Sequence, residues 1–329
     1  MRTIILTEFT GPGGLSVEDI PIPSVRPGTV LVRAVAASAN PIDIKVSEGA
    51  AVSPPLPATL GCDVAGIVAE VGEGVMTFAP GDAVFGCVGG VRGSGGTLAE
   101  FVLADARLLA HKPRSLSMRE AAALPLVAIT AFDGIARAGV SAGHHVLVHG
   151  GAGGVGHVAT QIALARGATV STTVSARSLP LVRRMGIASV IDYRAESVES
   201  YTRRLTGGAG FDVVFDTIGG SHLKQSFQAA RNDGQVISTI GLAEVDLSLM
   251  HVKALSLHIV FMLLPLLTGE GRERHGAILR AIAKMVDAGK LRPLIDDSRF
   301  TLENAAEAYR RLKSGEATGK VVIDVAGAA

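Results

Sequence analysis

The segment from His145 to Gly156, His-Val-Leu-Val-His-Gly-Gly-Ala-Gly-Gly-Val-Gly, restricts the possible folds more than any other part of the chain. Residues 145–149 read as a strand, and residues 155–166 repeat apolar positions at helical spacing. Between them lies Gly151-x-Gly153-x-x-Gly156. That spacing alone is a weak signal. Between a strand and an amphipathic helix it reads as the turn that holds the pyrophosphate of a dinucleotide. Gly151 allows the tight turn, Gly153 removes the side chain where a pyrophosphate must approach, and Gly156 lets helix and strand pack closely. Ala152, Gly154 and Val155 complete the turn, and the N–H groups of the helix start face the phosphate. A glycine-rich turn without a ligand is the competing reading.

Adenine dinucleotides without a 2′-phosphate are usually held by an acidic residue ~20 positions after this turn. Here no Asp or Glu lies between Gly156 and Asp192. Ser175 and Arg177 stand there instead, and Arg grips a phosphate through two parallel hydrogen bonds. NADPH is therefore expected over NADH. A solvated Arg177 at a helix start is the alternative. Thr217 and Ile218 end a later strand and Ile240 ends the next. Ligands of doubly wound sheets lie at such carboxyl ends.

Strand and helix patterns alternate from residue 145 to 240, which predicts a parallel sheet with helices on both faces. Residues 1 to about 110 instead carry short apolar segments broken by Gly and Pro, the pattern of a compact β-domain. At ~150 residues per domain, 329 residues make about two domains. The expected α/β architecture has a Rossmann sheet over residues 125–265. A β-rich domain of residues 1–124 is completed by residues 266–329.

Composition narrows the function. A chain with 48% hydrophobic and 19% charged residues is globular rather than disordered. A net charge of +1 argues against a nucleic-acid partner. Two cysteines, Cys62 and Cys87, make neither a disulfide framework nor a four-Cys zinc site. The apolar run 255–267 is interrupted and short of the ~20 residues that span a bilayer. The first nine residues lack the apolar core of a secretory signal. A cytoplasmic protein without a membrane segment is expected.

Further motifs then point to a family. Gly61-Cys-Asp-Val-Ala-Gly66 with Pro80-Gly-Asp82, Asn40-Pro-Ile-Asp43 and Gly319-Lys-Val-Val322 resemble the signature of medium-chain dehydrogenases/reductases. Within it they look like the zinc-free quinone oxidoreductase branch, from residue 21 to 325. The resemblance implies a GroES-like catalytic domain built from both chain ends around the Rossmann domain. It also implies a homodimer, often joined through a sheet edge. Residues 255–263 fit that edge or a buried strand equally. By position, the resemblance puts Asn40 and Asp43 at the substrate and cofactor and Thr130 near the nicotinamide amide. It puts Tyr193 near the adenosine phosphate and Lys320 at the cofactor. Asp43 could instead hold its own turn, and Thr130 could bond its own helix.

Zinc-dependent members carry Cys and Gly-His-Glu where this chain has Asn40, Cys62 and Asp63. No Cys or His lies between Lys112 and Gly143 to supply a third ligand. No metal is expected, and Cys62 reads as a small buried residue rather than a reactive thiol. The resulting expectation is an NADPH-dependent enzyme that passes hydride to an electrophilic acceptor, a quinone or an α,β-unsaturated carbonyl. The alternatives are a zinc alcohol dehydrogenase and a non-catalytic NADPH-binding protein.

Overall fold

Short alternating segments become strands β1 (Arg2–Leu6), β2 (Leu15–Asp19), β3 (Thr29–Ser38), β4 (Ala58–Thr59), β5 (Asp63–Val71), β6 (Ala83–Cys87), β7 (Phe101–Asp105) and β8 (Leu109–His111) in a computed structural model. The structure describes residues 1–325. Between β3 and β4 stands α1 (Pro41–Ser47), opened by a reciprocal cap between Asn40 and Asp43 with Pro41 in its first turn. Proline suits that position because its missing N–H would have no helical partner. Helices α2 (Met118–Ala122) and α3 (Pro125–Arg137) follow. The second of these begins at Pro125, a residue tolerated in a first turn.

The alternating segment then gives β9 (His145–His149), α4 (Gly154–Ala165), β10 (Thr169–Val174), α5 (Leu179–Arg183), β11 (Ser189–Asp192) and α6 (Val198–Thr206). It continues through β12 (Phe211–Asp216), α7 (Leu223–Ala229), β13 (Ala230–Ser238), α8 (Ser248–Val252) and β14 (Ser256–Ile259). These strands form one parallel sheet in the order β11-β10-β9-β12-β13-β14. The strands that follow β9 build outward first on one side and then on the other. The loops after β9 and β12 therefore flank the switch point, where such sheets bind ligands. Among the described residues, strand β14 pairs only with β13, so the apolar stretch 255–263 supplies a sheet edge.

Side chains alternate across a sheet, which fixes its two faces. Leu147 and Val214 are register partners and sit with Phe211, Phe227 and Val236 in one buried aliphatic and aromatic cluster. His149 and Thr173 share that face, because they pair in register two residues beyond Leu147 and Ser171. Val148 and Thr172 point to the other face.

The tail adds α9 (Leu264–Thr268), α10 (Arg272–Asp287), β15 (Phe300–Thr301), α11 (Ala305–Lys313) and β16 (Val322–Asp324). Strand β16 pairs antiparallel with β3, Val322 opposite Ser38. The chain thus forms two compact units. One holds Met1–Leu126, Leu263–Gly289 and the residues from Pro293 onward; the other holds Val127–Met262 with Lys290–Arg292. Among the described residues, no helix is long and apolar enough to cross a membrane.

Candidate functional site

The glycine turn follows β9 directly. Gly150, not Gly151, takes the left-handed backbone, with φ of 77°, so the tight bend lies one residue earlier than expected. The N–H groups of Gly150 and Gly151 both donate to the Thr173 carbonyl at 3.1 Å. Gly151 is needed for a different reason: a Cβ there would overlap the Thr172 hydroxyl. A Cβ on Gly156 would overlap the Gly150 carbonyl. Gly153 differs from both. It is exposed, and a Cβ on it would meet only the Gly150 carbonyl, at 3.2 Å. Protein packing therefore demands glycine at 151 and 156, whereas at 153 the open space lies outward. The first helical hydrogen bond of α4 runs from His157 N–H to Gly153 at 3.2 Å. The N–H groups of Gly154, Val155 and Gly156 precede it and have no partner earlier in the helix. With Ala152 half-buried beside them, these residues form a cradle that fits a pyrophosphate.

Ser175 and Tyr193 come together beyond the ends of neighbouring strands. Val174 of β10 pairs with Asp192 of β11, and Tyr193 N–H donates to the Val174 carbonyl at 3.2 Å. Arg177 lies two residues on, exposed, in the short 3₁₀ turn that follows Ser175. The guanidinium of Arg194, which the sequence reading passed over, lies over the exposed Tyr193 ring at 5.6 Å. Hydroxyls and cations thus gather where a 2′-phosphate would need them.

The loop after β12 is fixed by a carboxylate that sequence reasoning missed. Asp216 Oδ1 accepts the N–H groups of Ile218 at 2.8 Å and Gly219 at 2.9 Å. Its Oδ2 accepts His222 Nδ1 at 3.0 Å and the Ser226 hydroxyl at 2.7 Å. Burial alone would raise this carboxyl; the donors from His222, Gly219 and Ser226 outweigh it and hold it well below the usual range. The Thr217 hydroxyl donates to the His149 carbonyl at 2.7 Å. Thr217 and Ile218 are thereby pinned beside the glycine turn, and Ile240 packs against Gly219, where a Cβ would strike it. An acid at a strand end just before a Gly-Gly pair was the available signal.

The other unit holds Asn40, Asp43 and Lys320 in one buried network. Lys320 is only 3% exposed. Its ammonium donates to the Ala39 carbonyl at 2.9 Å, to Asn40 Oδ1, and to Asp63 Oδ2 at 3.4 Å. An ammonium has three N–H groups, so all are engaged. Asn40 Nδ2 donates to Asp63 Oδ2 at 2.9 Å, and the Ser38 hydroxyl donates to the same oxygen at 2.9 Å. Leu126 N–H donates to Asp63 Oδ1 at 2.8 Å. Asp43 accepts Asn40 N–H at 2.8 Å and the Cys62 thiol at 3.2 Å. Burial pushes the Asp43 carboxyl up to about 7. The contact with Cys87, and then burial, push the Cys62 thiol up. A raised thiol is a poor nucleophile.

Asn40, Asp43 and Lys320 thus point inward, with Asn40 and Asp43 wholly buried, and Asp43 holds its own turn through Asn40 N–H, the second of the two readings its sequence allows. Thr130 lies in the middle of α3, 5% exposed. The network also bears on a metal. Asn40, Cys62 and Asp63 occupy the positions at which zinc-dependent relatives would carry ligands, and here an ammonium is bonded to two of them. A divalent cation and an ammonium do not share one set of oxygens, and an amide engaged at both ends is no zinc ligand. The residues present do not fit zinc. Among the described residues, no group of three or more His, Cys, Asp or Glu is arranged for a metal.

Known proteins resemble the chain over nearly its whole length. Residues 26–114 match the alcohol dehydrogenase GroES-like domain, and residues 185–323 match the zinc-binding dehydrogenase family. The chain is 32% identical to an NADPH-dependent alkenal/one oxidoreductase of Arabidopsis thaliana, over 98% of this chain and 79% of that protein. It is 30% identical to the quinone oxidoreductase of Homo sapiens, over 98% and 97% of the two chains. Among solved structures, an alcohol dehydrogenase superfamily protein from Novosphingobium aromaticivorans superposes with a TM-score of 0.95. It is 42% identical, with 99% of this chain and 100% of that one covered.

Proposed function

Since this chain belongs to the medium-chain dehydrogenase/reductase superfamily, in its quinone-oxidoreductase-like branch, we propose that it is an NADPH-dependent oxidoreductase of electrophilic acceptors that works without a metal. Two acceptor classes suit it, quinones and α,β-unsaturated carbonyls. One observation carries the reading: outward space at Gly153 lies at the same carboxyl end of the parallel sheet as the Ser175, Arg177 and Tyr193 cluster.

Bound nicotinamide supplies the hydride. The chain's own residues hold and orient the cofactor. The N–H groups at the start of α4 bind the pyrophosphate, aided by the positive end of the helix. Arg177 would hold the 2′-phosphate, with Ser175 and Tyr193 as hydroxyl donors. Thr217, Ile218 and Ile240 line the cofactor's path along the strand ends, held there by Asp216. Thr130 fixes the nicotinamide amide. Asn40, Asp43 and Lys320 act as positioning residues that shape the first turn of α1. The ammonium of Lys320 neutralises Asp63 where a metal would otherwise be needed.

The acceptor class follows from the missing Lewis acid. A saturated aldehyde needs its carbonyl polarised before it takes hydride. A quinone or enone is electrophilic enough without that help, and solvent can return the proton. The relatives named for alkenal/one and quinone reduction support the same choice. The free, buried Cys62 and Cys87 suit a reducing, cytoplasmic setting. The unpaired edge of β14, with Ile259 and Phe261 exposed, suits a homodimer joined there.

The test is steady-state turnover on a quinone, a 2-alkenal and a saturated aldehyde, each with NADPH and with NADH, after chelator treatment. Turnover on the first two, with NADPH preferred, is expected. Turnover confined to the saturated aldehyde would overturn the proposal.

A further inference from the structure

The loop after β12 has little of its own to hold its shape. It runs through Thr217, Ile218, Gly219 and Gly220 into a short 3₁₀ turn that ends at His222. Gly219 has φ of 69° and Gly220 has φ of 61°. With ψ of −166°, Gly219 sits in a region open essentially to glycine alone. Glycine also has more conformational freedom to lose than any other residue, and here two follow each other. The turn is closed by His222 N–H, which donates to the Gly219 carbonyl at 3.2 Å. Ahead of it, one conformation is selected by Asp216 Oδ1, which takes the N–H groups of both Ile218 and Gly219.

That grip depends on the other carboxylate oxygen. The terminal torsion of an aspartate is broad and soft, so Oδ1 stays aimed at the loop only while Oδ2 is fixed. His222 Nδ1 and the Ser226 hydroxyl fix it, at 3.0 Å and 2.7 Å. A carboxylate only accepts hydrogen bonds, so the proton of His222 is on Nδ1. The ring is braced by His149, edge-on with centroids 4.5 Å apart. His149 in turn accepts the Thr217 hydroxyl through its carbonyl at 2.7 Å. Its Nδ1 meets the Thr173 hydroxyl at 3.1 Å, and that hydroxyl takes Gly150 N–H at 3.3 Å. One connected set of contacts thus joins His222 to the loop after β12 and to the first glycine of the turn after β9.

His222 differs from its neighbours in this set. Asp216, Ser226 and His149 are at most 1% exposed, whereas the His222 side chain is 17% exposed, at the start of α7. It closes the glycine turn with its backbone and orients Asp216 with its ring. We propose that His222 is a positioning residue for NADPH, holding residues 217–219 through Asp216 in the shape that meets the cofactor. The inference rests on the dinucleotide reading of this sheet, and adds to it a residue that acts without touching the cofactor.

The experiment compares substitutions of His222 by NADPH titration and by steady-state turnover of a 2-alkenal. His222→Leu removes the donor and should raise both Kd and KM for NADPH about tenfold. At saturating NADPH, kcat should stay within about twofold of wild type, the pattern of lost ground-state binding. His222→Asn should recover most of the wild-type affinity, because an Asn amide nitrogen, like Nδ1, is bonded to Cγ. His222→Gln carries its amide one carbon further out and should not. A role confined to folding would lower Tm and the active fraction without moving KM. The comparison of Asn with Gln carries the test even where His222→Leu does not fold. Unchanged NADPH affinity in His222→Leu, a loss confined to kcat, failure of His222→Asn to recover, or equal recovery by His222→Gln would each overturn the proposal. Wild-type chain that binds NADPH in the same titration keeps the dinucleotide reading, so those results bear on His222 alone.

Discussion

Lys320 is the residue on which the buried network of the first unit turns, because it supplies the one ammonium bonded to Asn40 and Asp63. Removing one partner of a buried ion pair leaves a charge without compensation and costs about 3–5 kcal/mol. Lys320→Met should therefore lower the unfolding free energy by about that amount in urea. Adding Asp63→Asn to the same chain should recover part of the loss, whereas a surface lysine would show neither effect. Asp43 gives a pH signature. Burial raises its carboxyl from 3.8 to about 7 in the folded chain, so between those values the native state binds more protons than the unfolded state. Stability from this group is complete below pH 3.8 and is lost as pH rises through 7, at about 1.4 kcal/mol per pH unit. Asp43→Asn, neutral throughout, should gain on the wild type across that window. A difference in unfolding free energy that is flat with pH would contradict the assignment. The motif Asn40-Pro-Ile-Asp43 was legible in the sequence. The inward direction of these side chains was not, since the cation that turns them inward lies 280 residues away.

At the scale of the element, the turn between β9 and α4 was the most readable feature of the chain. Its strand, glycines and helix are local, and local geometry follows local sequence. The duties of single glycines were less readable. The left-handed residue is Gly150, and Gly151 answers to Thr172 on a neighbouring strand, a contact that glycine spacing does not encode. The structure separates two substitutions. Gly151→Ala overpacks a buried contact and should destabilise the protein by about 1–3 kcal/mol. Gly153→Ala meets backbone in an extended conformation, φ −84° and ψ 174°, which any residue adopts. It should keep stability within about 0.5 kcal/mol of wild type while weakening NADPH at least about tenfold, or ~1.4 kcal/mol. NADPH bound by Gly153→Ala as by the wild type would remove the pyrophosphate from this turn. Strand β14 shows a different limit. An apolar run reads alike at an edge and in the middle of a sheet. Its place at the edge follows from how many strands are laid on each side of β9.

At the scale of the molecule, both ends of the chain contribute to one unit, as β16 pairing with β3 shows. The last strand could be read from sequence but not its partner, because pairing across so long a separation leaves no local trace. The edge of β14 makes a prediction about assembly. Sedimentation equilibrium should give two chains per particle, and Ile259→Lys, a charge on an open edge, should shift it to one. A single-chain mass for the wild type would contradict edge pairing. The central claim is hydride delivery from NADPH to an activated double bond without a metal. It is tested most directly by following a deuterium label from C4 of NADPH into a 2-alkenal, with chelator present. The label should appear on C3 of the saturated aldehyde. Label on C1 of an allylic alcohol would mean carbonyl reduction, the chemistry of a polarising metal, and would contradict the account.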